Sequence, residues 1–412
     1  MSGKFSRFVI PAVACAVLMM AAIASATVTE EVLYSFDSNN STGPRDKLLY
    51  SSGTLYGTIP DGGPKSNACT LGCGSIFAFV PKTGGESSYR VIYNFLGGRN
   101  DGSSPIGNMV MDSAGNLYGV TSFGGGCGGS GCGTVFKLTP SAGGQWTESI
   151  AHSFSEAEGS NPQAGLAMDS FGNLYGTIGG GANGYGSVYE LTPNADGSWN
   201  ELEIYHFRGL ADGEYPRAEV TLDSAGNVYG TTSGDNSQNG SVFELTPSSG
   251  GEWTEHTLYD FVTATGCNPM APVWLDSAGN LYGTAEGCGH YAEGVVYKLT
   301  RNSDGSWTES TIHAFGETGD GQNPQSGLTP DSQGNLYGTA LRGGANGGGT
   351  VYRLRPNSNG TLSETGSYSF SSTGGDPTSV FSGVTFGGGT TMYGTSSGGG
   401  TLGNGAIYQI AQ

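Results

Sequence analysis

Charge is scarce in this sequence, and positive charge is scarcest. Only 12% of the 412 residues are charged, with 16 Lys and Arg against 35 Asp and Glu, a net −19 at pH 7. Nucleic acids and anionic membrane surfaces would be repelled, so both are excluded as partners. No apolar run beyond Ile23 is long enough to cross a bilayer as a helix. Pro stands at 17, without the triplet spacing of a collagen-like chain. Also missing are a nucleophile-elbow serine, a zinc-binding helix motif and a phosphate loop set between strand and helix. Glycine, by contrast, is abundant, at 75 residues. Inside a helix each glycine costs roughly 1 kcal/mol against alanine, so helical architecture is excluded. With 10% aromatic and 36% hydrophobic residues the chain can still build a core, unlike a disordered segment. What remains is an all-β protein of short strands and many turns.

Lys4 and Arg7 precede an apolar run from Phe8 to Ile23, and Ala24-Ser25-Ala26 follows. That order is the pattern of a secretory signal peptide, with cleavage expected near Ala26 and a secreted or periplasmic mature chain, 27–412. Removing the two basic residues takes the balance to 14 against 35, or −21.

The mature chain is a tandem repeat. Tyr-Gly recurs at Tyr56, Tyr118, Tyr175, Tyr229, Tyr282, Tyr337 and Tyr393, marking seven units. The second unit shows four strands best, from Gly107 to Asp112, Asn116 to Ser122, Gly133 to Thr139 and Gln145 to Phe154. Four short antiparallel strands repeated radially make a β-propeller blade, so a single seven-bladed propeller is expected. Val32-Leu33-Tyr34-Ser35-Phe36 reads as a fourth strand with no blade before it, and the seventh unit stops after its third strand, Ala406 to Ile410. The N-terminal strand should therefore complete the last blade and close the ring. Asp112-Ser113-Ala114-Gly115-Asn116 reads as a tight turn, repeated with Asp169, Asp223, Asp276 and Asp331.

These residues resemble the GloVer tandem repeat, whose signature is Gly-Asn-Leu-Tyr-Gly-Thr followed by Gly-Thr-Val-Phe-x-Leu. It stands here as Gly115 to Thr121, with Val120 inserted, and as Gly334 to Thr339 with Gly349-Thr350-Val351-Tyr352. The resemblance implies a secreted bacterial protein and carries over no catalytic residue. Members often have a C-terminal sorting anchor, a segment of a kind not seen up to Gln412.

The links from second to third strand, and from fourth strand to the next blade, emerge on one face of a propeller, the top. Cys69, Cys73, Cys127, Cys132, Cys267 and Cys288 all fall in such links. An even count in an exported chain implies disulfides, and local pairing is favoured: 69 with 73, 127 with 132, 267 with 288. A zinc site from the first four thiolates is the alternative, and no metal or other cofactor is expected.

The links into each first strand share an acid and a proline: Asp101, Glu158, Asp212 and Asp320, with Asn161, Asn268 and Asn323 directly before prolines. They read either as turn chemistry or as a ring of acceptors around the channel mouth that would hold a cation or sugar hydroxyls. Trp146, Trp199, Trp253 and Trp307 open the outer strands and are expected to pack on their hairpins, stacking on sugar rings being the alternative. His152 and His313 occupy the place of Tyr93, Tyr205, Tyr259 and Tyr368 and read as structural. If the protein is an enzyme, the candidate trio is Glu286, His290 and Glu293 in the most varied top link. The sequence points to a monomeric binding or structural module for an extracellular ligand such as a carbohydrate. A polysaccharide lyase or hydrolase working at the top mouth is the alternative.

Overall fold

The computed structural model describes residues 28–37, 43–82, 87–180, 184–209, 212–234, 239–357, 361–364 and 368–411. The segment 1–26, read from the sequence as a signal peptide, lies outside them. All regular structure among the described residues is β: seven antiparallel sheets succeed one another along the chain as blades, and two two-stranded pairs, Gly321–Gln322 with Arg342–Gly343 and Pro377–Thr378 with Gly398–Gly399, lie in the links. The second blade runs Gly102–Met111, Leu117–Gly124, Thr134–Pro140 and Trp146–Ser153, from the axis outward. In the sixth, the outermost strand is described in two pieces, Leu362–Glu364 and Tyr368–Ser371.

The ring closes as the ends of the sequence predict. Thr29–Ser35 pairs antiparallel with Ala406–Ala411 and supplies the seventh blade's outer strand. Phe36, just beyond it, is 1% exposed, and its N–H donates to the Gly405 carbonyl at 3.0 Å.

Each part of the Tyr-Gly-Thr signature has a physical task. Successive strand residues face opposite sides of a blade. Leu117 accordingly packs with Phe95 of the preceding blade, and Tyr118 with Leu174 of the next. The glycine between tyrosine and threonine is a slot for the third-strand aromatic. A Cβ on Gly119 would stand 2.5 Å from Phe136 Cζ, and one on Gly283 2.3 Å from the Tyr297 hydroxyl. The threonine stitches blades together. Thr177, Thr231, Thr284 and Thr339 each donate from Oγ1 to the carbonyl of Ala218, Ala271, Ser326 and Ser382, at the start of the next blade's innermost strand.

The buried side chains form a cluster at each seam between blades, and the tryptophans belong to these clusters. Trp146 meets the Tyr56 ring edge-on at 6.0 Å and Trp199 meets Tyr118 at 5.7 Å, each reaching the preceding blade. The expected hairpin packing is thus replaced by packing across the seam, because the tyrosine's second face needs a cover. The aspartate turns form as predicted: Asp112 Oδ1 accepts from the N–H of Ala114 and of Asn116, both at 2.9 Å. Burial pushes the Asp112 carboxyl up, but the bonds from Asn116, Tyr118 and Ala114 outweigh it and hold the group below its usual value.

Candidate ligand site at the ring axis

One segment from each blade lines a cavity of about 510 Å³. Since every blade contributes the same stretch, just before and within its innermost strand, the cavity lies on the ring axis. The first residue of that stretch is Arg45, Ile106, Gln163, Arg217, Met270, Gln325 and Phe381 in blade order. Three residues on, at the buried step, stand Leu48, Met109, Leu166, Val220, Val273, Leu328 and Val384. Packing fixes the second set as uniformly apolar. It leaves the first set free, and there the blades differ sharply.

Two residues along from this ring lies a polar chain that no repeat dictates. Lys47 Nζ donates to Thr329 Oγ1 at 2.9 Å, across from blade 1 to blade 6. The Lys47 N–H donates to Asn108 Oδ1 at 3.1 Å, and Asn108 Nδ2 donates to Glu219 Oε2 at 2.5 Å. Lys47 and Glu219 keep partial contact with channel solvent yet are walled by protein on nearly every side. Burial pushes the Glu219 carboxyl up to about 7, against the opposing pull of Asn108 and Lys47. Burial also lowers Lys47, with Glu219 opposing it. Asp46 is raised by burial as well, although Thr58 and the Gly107 N–H both donate to it. Apolar contact comes from Trp274 and from Phe381, whose ring lies 5.8 Å beneath the Arg45 guanidinium. The site therefore combines amides, both signs of charge and aromatic faces, the groups that recognise a polyhydroxylated ligand.

The residues singled out from the sequence occupy other places. Asp101 is 8% exposed, and its oxygens accept from the N–H of Leu96 at 2.6 Å and of Gly102 at 2.7 Å. Asp212 is likewise buried, accepting from the Arg208 N–H at 2.7 Å and from the Tyr205 hydroxyl. Asp320 accepts from Gly321 N–H at 2.7 Å, and Glu158 from Ser155 N–H at 2.7 Å. These carboxylates shape their own links. Asn161, Asn268 and Asn323 have φ of 60°, 55° and 56°, a left-handed conformation asparagine tolerates better than most residues. Their N–H groups donate back to the carbonyls of Cys132, Asn239 and Glu293, tying each entry to the blade before it.

The trio suggested for catalysis, Glu286, His290 and Glu293, does not have its donor atoms gathered within 4.8 Å of one another. Glu286 Oε1 accepts from Gln325 Nε2 at 2.6 Å and so supports an axial residue. His290 is exposed and stacks edge-on with Tyr291 at 4.4 Å, while Glu293 is half-buried. Neither of the latter two lines the cavity. The six cysteines from Cys69 to Cys288 are paired as predicted, Cys69 with Cys73, Cys127 with Cys132 and Cys267 with Cys288, so the four-thiolate zinc alternative falls.

Sequence reasoning missed the axial residues because they do not repeat. It also missed one that does. Glu148, Glu201, Glu255 and Glu309 stand two residues after the outer-strand tryptophans, Glu364 two after Leu362, and Glu30 two after Val28. The signal was plain, in Trp-x-Glu. These side chains enter the blade seams and face the link acids: Glu148 feels Asp101, Glu201 feels Glu158, and Glu30 feels Asp376. Burial first, then the neighbouring acid, pushes each of these three up to about 7.

Comparison with known proteins agrees with this architecture. Residues 126–329 match the Gloeobacter/Verrucomicrobia repeat, which supports the resemblance read from the repeated motifs. No match was found among curated proteins. Among solved structures, a protein from Lactobacillus plantarum is 14% identical, with 82% of this chain and 95% of that one covered at a TM-score of 0.52. An ancestral GH74 enzyme is 11% identical at a TM-score of 0.51, covering 90% of this chain. The match spans about half of that enzyme, 51%. A protein of unknown function from Dyadobacter fermentans DSM 18053 is 11% identical, with 93% of this chain and 98% of that one covered at a TM-score of 0.46. At these identities the likeness concerns the fold alone. The three disulfides are consistent with an extracellular or periplasmic protein, and no described helix is long and apolar enough to cross a membrane.

Proposed function

We propose that the protein is an exported binding propeller that takes a carbohydrate at its axial channel, after removal of the leader near Ala26. The observation carrying this reading is the ring Arg45, Ile106, Gln163, Arg217, Met270, Gln325 and Phe381, variable from blade to blade while the step three residues on is uniformly apolar. Variation among copies of one unit marks positions that packing does not determine, and these seven surround a cavity. Amide and guanidinium groups offer hydrogen bonds to sugar hydroxyls, and Trp274 and Phe381 offer faces to sugar rings. The link acids Asp101, Glu158, Asp212 and Asp320, with Asn161, Asn268 and Asn323, hold the loops that frame the entry.

A second reading is a polysaccharide-active enzyme. It is favoured by one observation: Asp46 and Glu219, two carboxylates outside the repeat pattern, line the same cavity, and Glu219 is poised near 7 to exchange a proton. The hydrogen bonds from Thr58 and Gly107 that occupy Asp46 favour binding over turnover. A glycan array on the purified chain tests the main reading. Binding to a defined carbohydrate without release of reducing ends is expected. No binding across the array would contradict it, and product release would favour the enzyme.

A further inference from the structure

We propose that the seam between the fifth and sixth blades holds a divalent transition-metal ion, with zinc as its simplest representative, on His313, Asp320 and Glu364. The donor atoms of these three residues lie within 4.8 Å of one another. His313 Nε2 is 2.9 Å from Asp320 Oδ2 and 3.9 Å from Glu364 Oε2. Zinc binds imidazole nitrogen and carboxylate oxygen at about 2.0–2.2 Å, so neighbouring donors around it stand roughly 3–3.6 Å apart. The three atoms are already close to that spacing. One imidazole with two carboxylates is also a donor set suited to such ions, with positions left for water.

A second observation points the same way. Strand register sets Tyr352 opposite Gly338 and Leu354 opposite Glu364, which puts Tyr352 and Glu364 on one face of the sixth blade. That face packs on the fifth blade, where Phe315 lies 5.0 Å from the Tyr352 ring and 4.6 Å from the His313 ring. These rings hold the outer strand of the fifth blade, which carries His313, against the face of the sixth blade that carries Glu364, so the three donors meet at a packed seam. The seam is also singular within the repeat. Asp101 is partnered with Tyr93 and Asp212 with Tyr205, and Tyr259 bonds Thr265, so those seams lack the imidazole. His152 stands beside Glu158 and Glu201, but its Nε2 is 3.5 Å from Glu158 and the three donors are not gathered. The ion would strap two blades together, since His313 and Asp320 come from one side of the seam and Glu364 from the other.

The test is calorimetric titration of zinc chloride into full-length purified protein, tag-free and stripped with chelator, near pH 7.5. One ion per chain with micromolar affinity is expected, with a higher melting temperature on loading. His313→Tyr, which installs the residue that other blades carry, should weaken binding at least about tenfold and abolish the thermal gain. Glu364→Gln should weaken it too, and His256→Tyr, at an exposed position, should leave it intact. Absence of stoichiometric uptake, or uptake unchanged by His313→Tyr, would overturn the proposal.

Discussion

Raising the pH from 5 to 8 should destabilise this protein, the reverse of ordinary acid denaturation. Glu30, Glu148 and Glu201 sit at blade seams with their carboxyls pushed from 4.5 to about 7, first by burial and then by a neighbouring acid. A group whose folded pKa lies above its unfolded value is most stabilising below the unfolded pKa. That contribution is lost as pH rises through the folded one. The window here is therefore about 4.5 to 7. A shift of this size taken whole is worth roughly 3 kcal/mol per group, but the seams are partly open to solvent. Screening reduces it to about 1 kcal/mol each, or about 3 kcal/mol for the three. An unfolding entropy of roughly 0.8 kcal/mol/K for a chain of this length converts that to about 4 °C. Melting followed by near-UV circular dichroism at the two pH values gives the difference. The triple variant Glu30→Gln, Glu148→Gln, Glu201→Gln should be the more stable protein at pH 8 and should lose most of the pH dependence. A wild type equally stable at both values, or a triple variant that keeps the full difference, would refute the reasoning.

Further outcomes follow from the packing. Gly283→Ala would drive a Cβ to 2.3 Å from the Tyr297 hydroxyl, and a loss of about 1–3 kcal/mol is expected in denaturant titration. The same substitution at Gly172, where nothing lies within 4 Å but φ is +86°, should cost only the backbone strain of about 1 kcal/mol. Reduction should lower the melting temperature, with Cys267–Cys288 contributing most: its sequence separation is 21, against 4 and 5 for the other pairs. Loop-closure entropy gives about 3 kcal/mol for the long loop and about 2 for the short ones, a ranking that paired Cys→Ala variants can check. Deleting residues 28–36 leaves Ala406–Ala411 as an unpaired edge, and loss of the cooperative melt or aggregation in size-exclusion chromatography is expected.

The repeat made the fold legible. Tyr-Gly spacing, the aspartate turns and an orphan N-terminal strand set against a seventh unit one strand short lead to seven blades and their closure without reference to any contact. The disulfides were equally readable, because two pairs are local to single links and the third, Cys267–Cys288, joins two links on the same face of one blade. What repetition could not reveal was its own exceptions. Lys47, Asn108 and Glu219 lie far apart in the chain and meet only because three blades converge on one axis. The link acids are a related case. A carboxylate that recurs in a loop reads from the sequence either as a ligand ring or as turn chemistry, and in the structure Asp101 and Asp212 accept from backbone N–H groups of their own links. The tryptophans recur for a neighbour that sequence adjacency hides, the tyrosine of the preceding blade.

The central claim is that ligand recognition lies on the axis and not in the link acids. The most direct measurement titrates the strongest array ligand into wild type and two variants. One is Arg217→Ala combined with Gln163→Ala on the axial ring, and the other is Asp101→Asn combined with Asp212→Asn in the links. All three are first compared by circular dichroism to establish that they fold. The account predicts that the axial pair loses affinity at least about tenfold, the loss of one or two hydrogen bonds to a buried ligand, while the link pair binds like wild type. Affinity lost in the link pair and kept in the axial pair would contradict it.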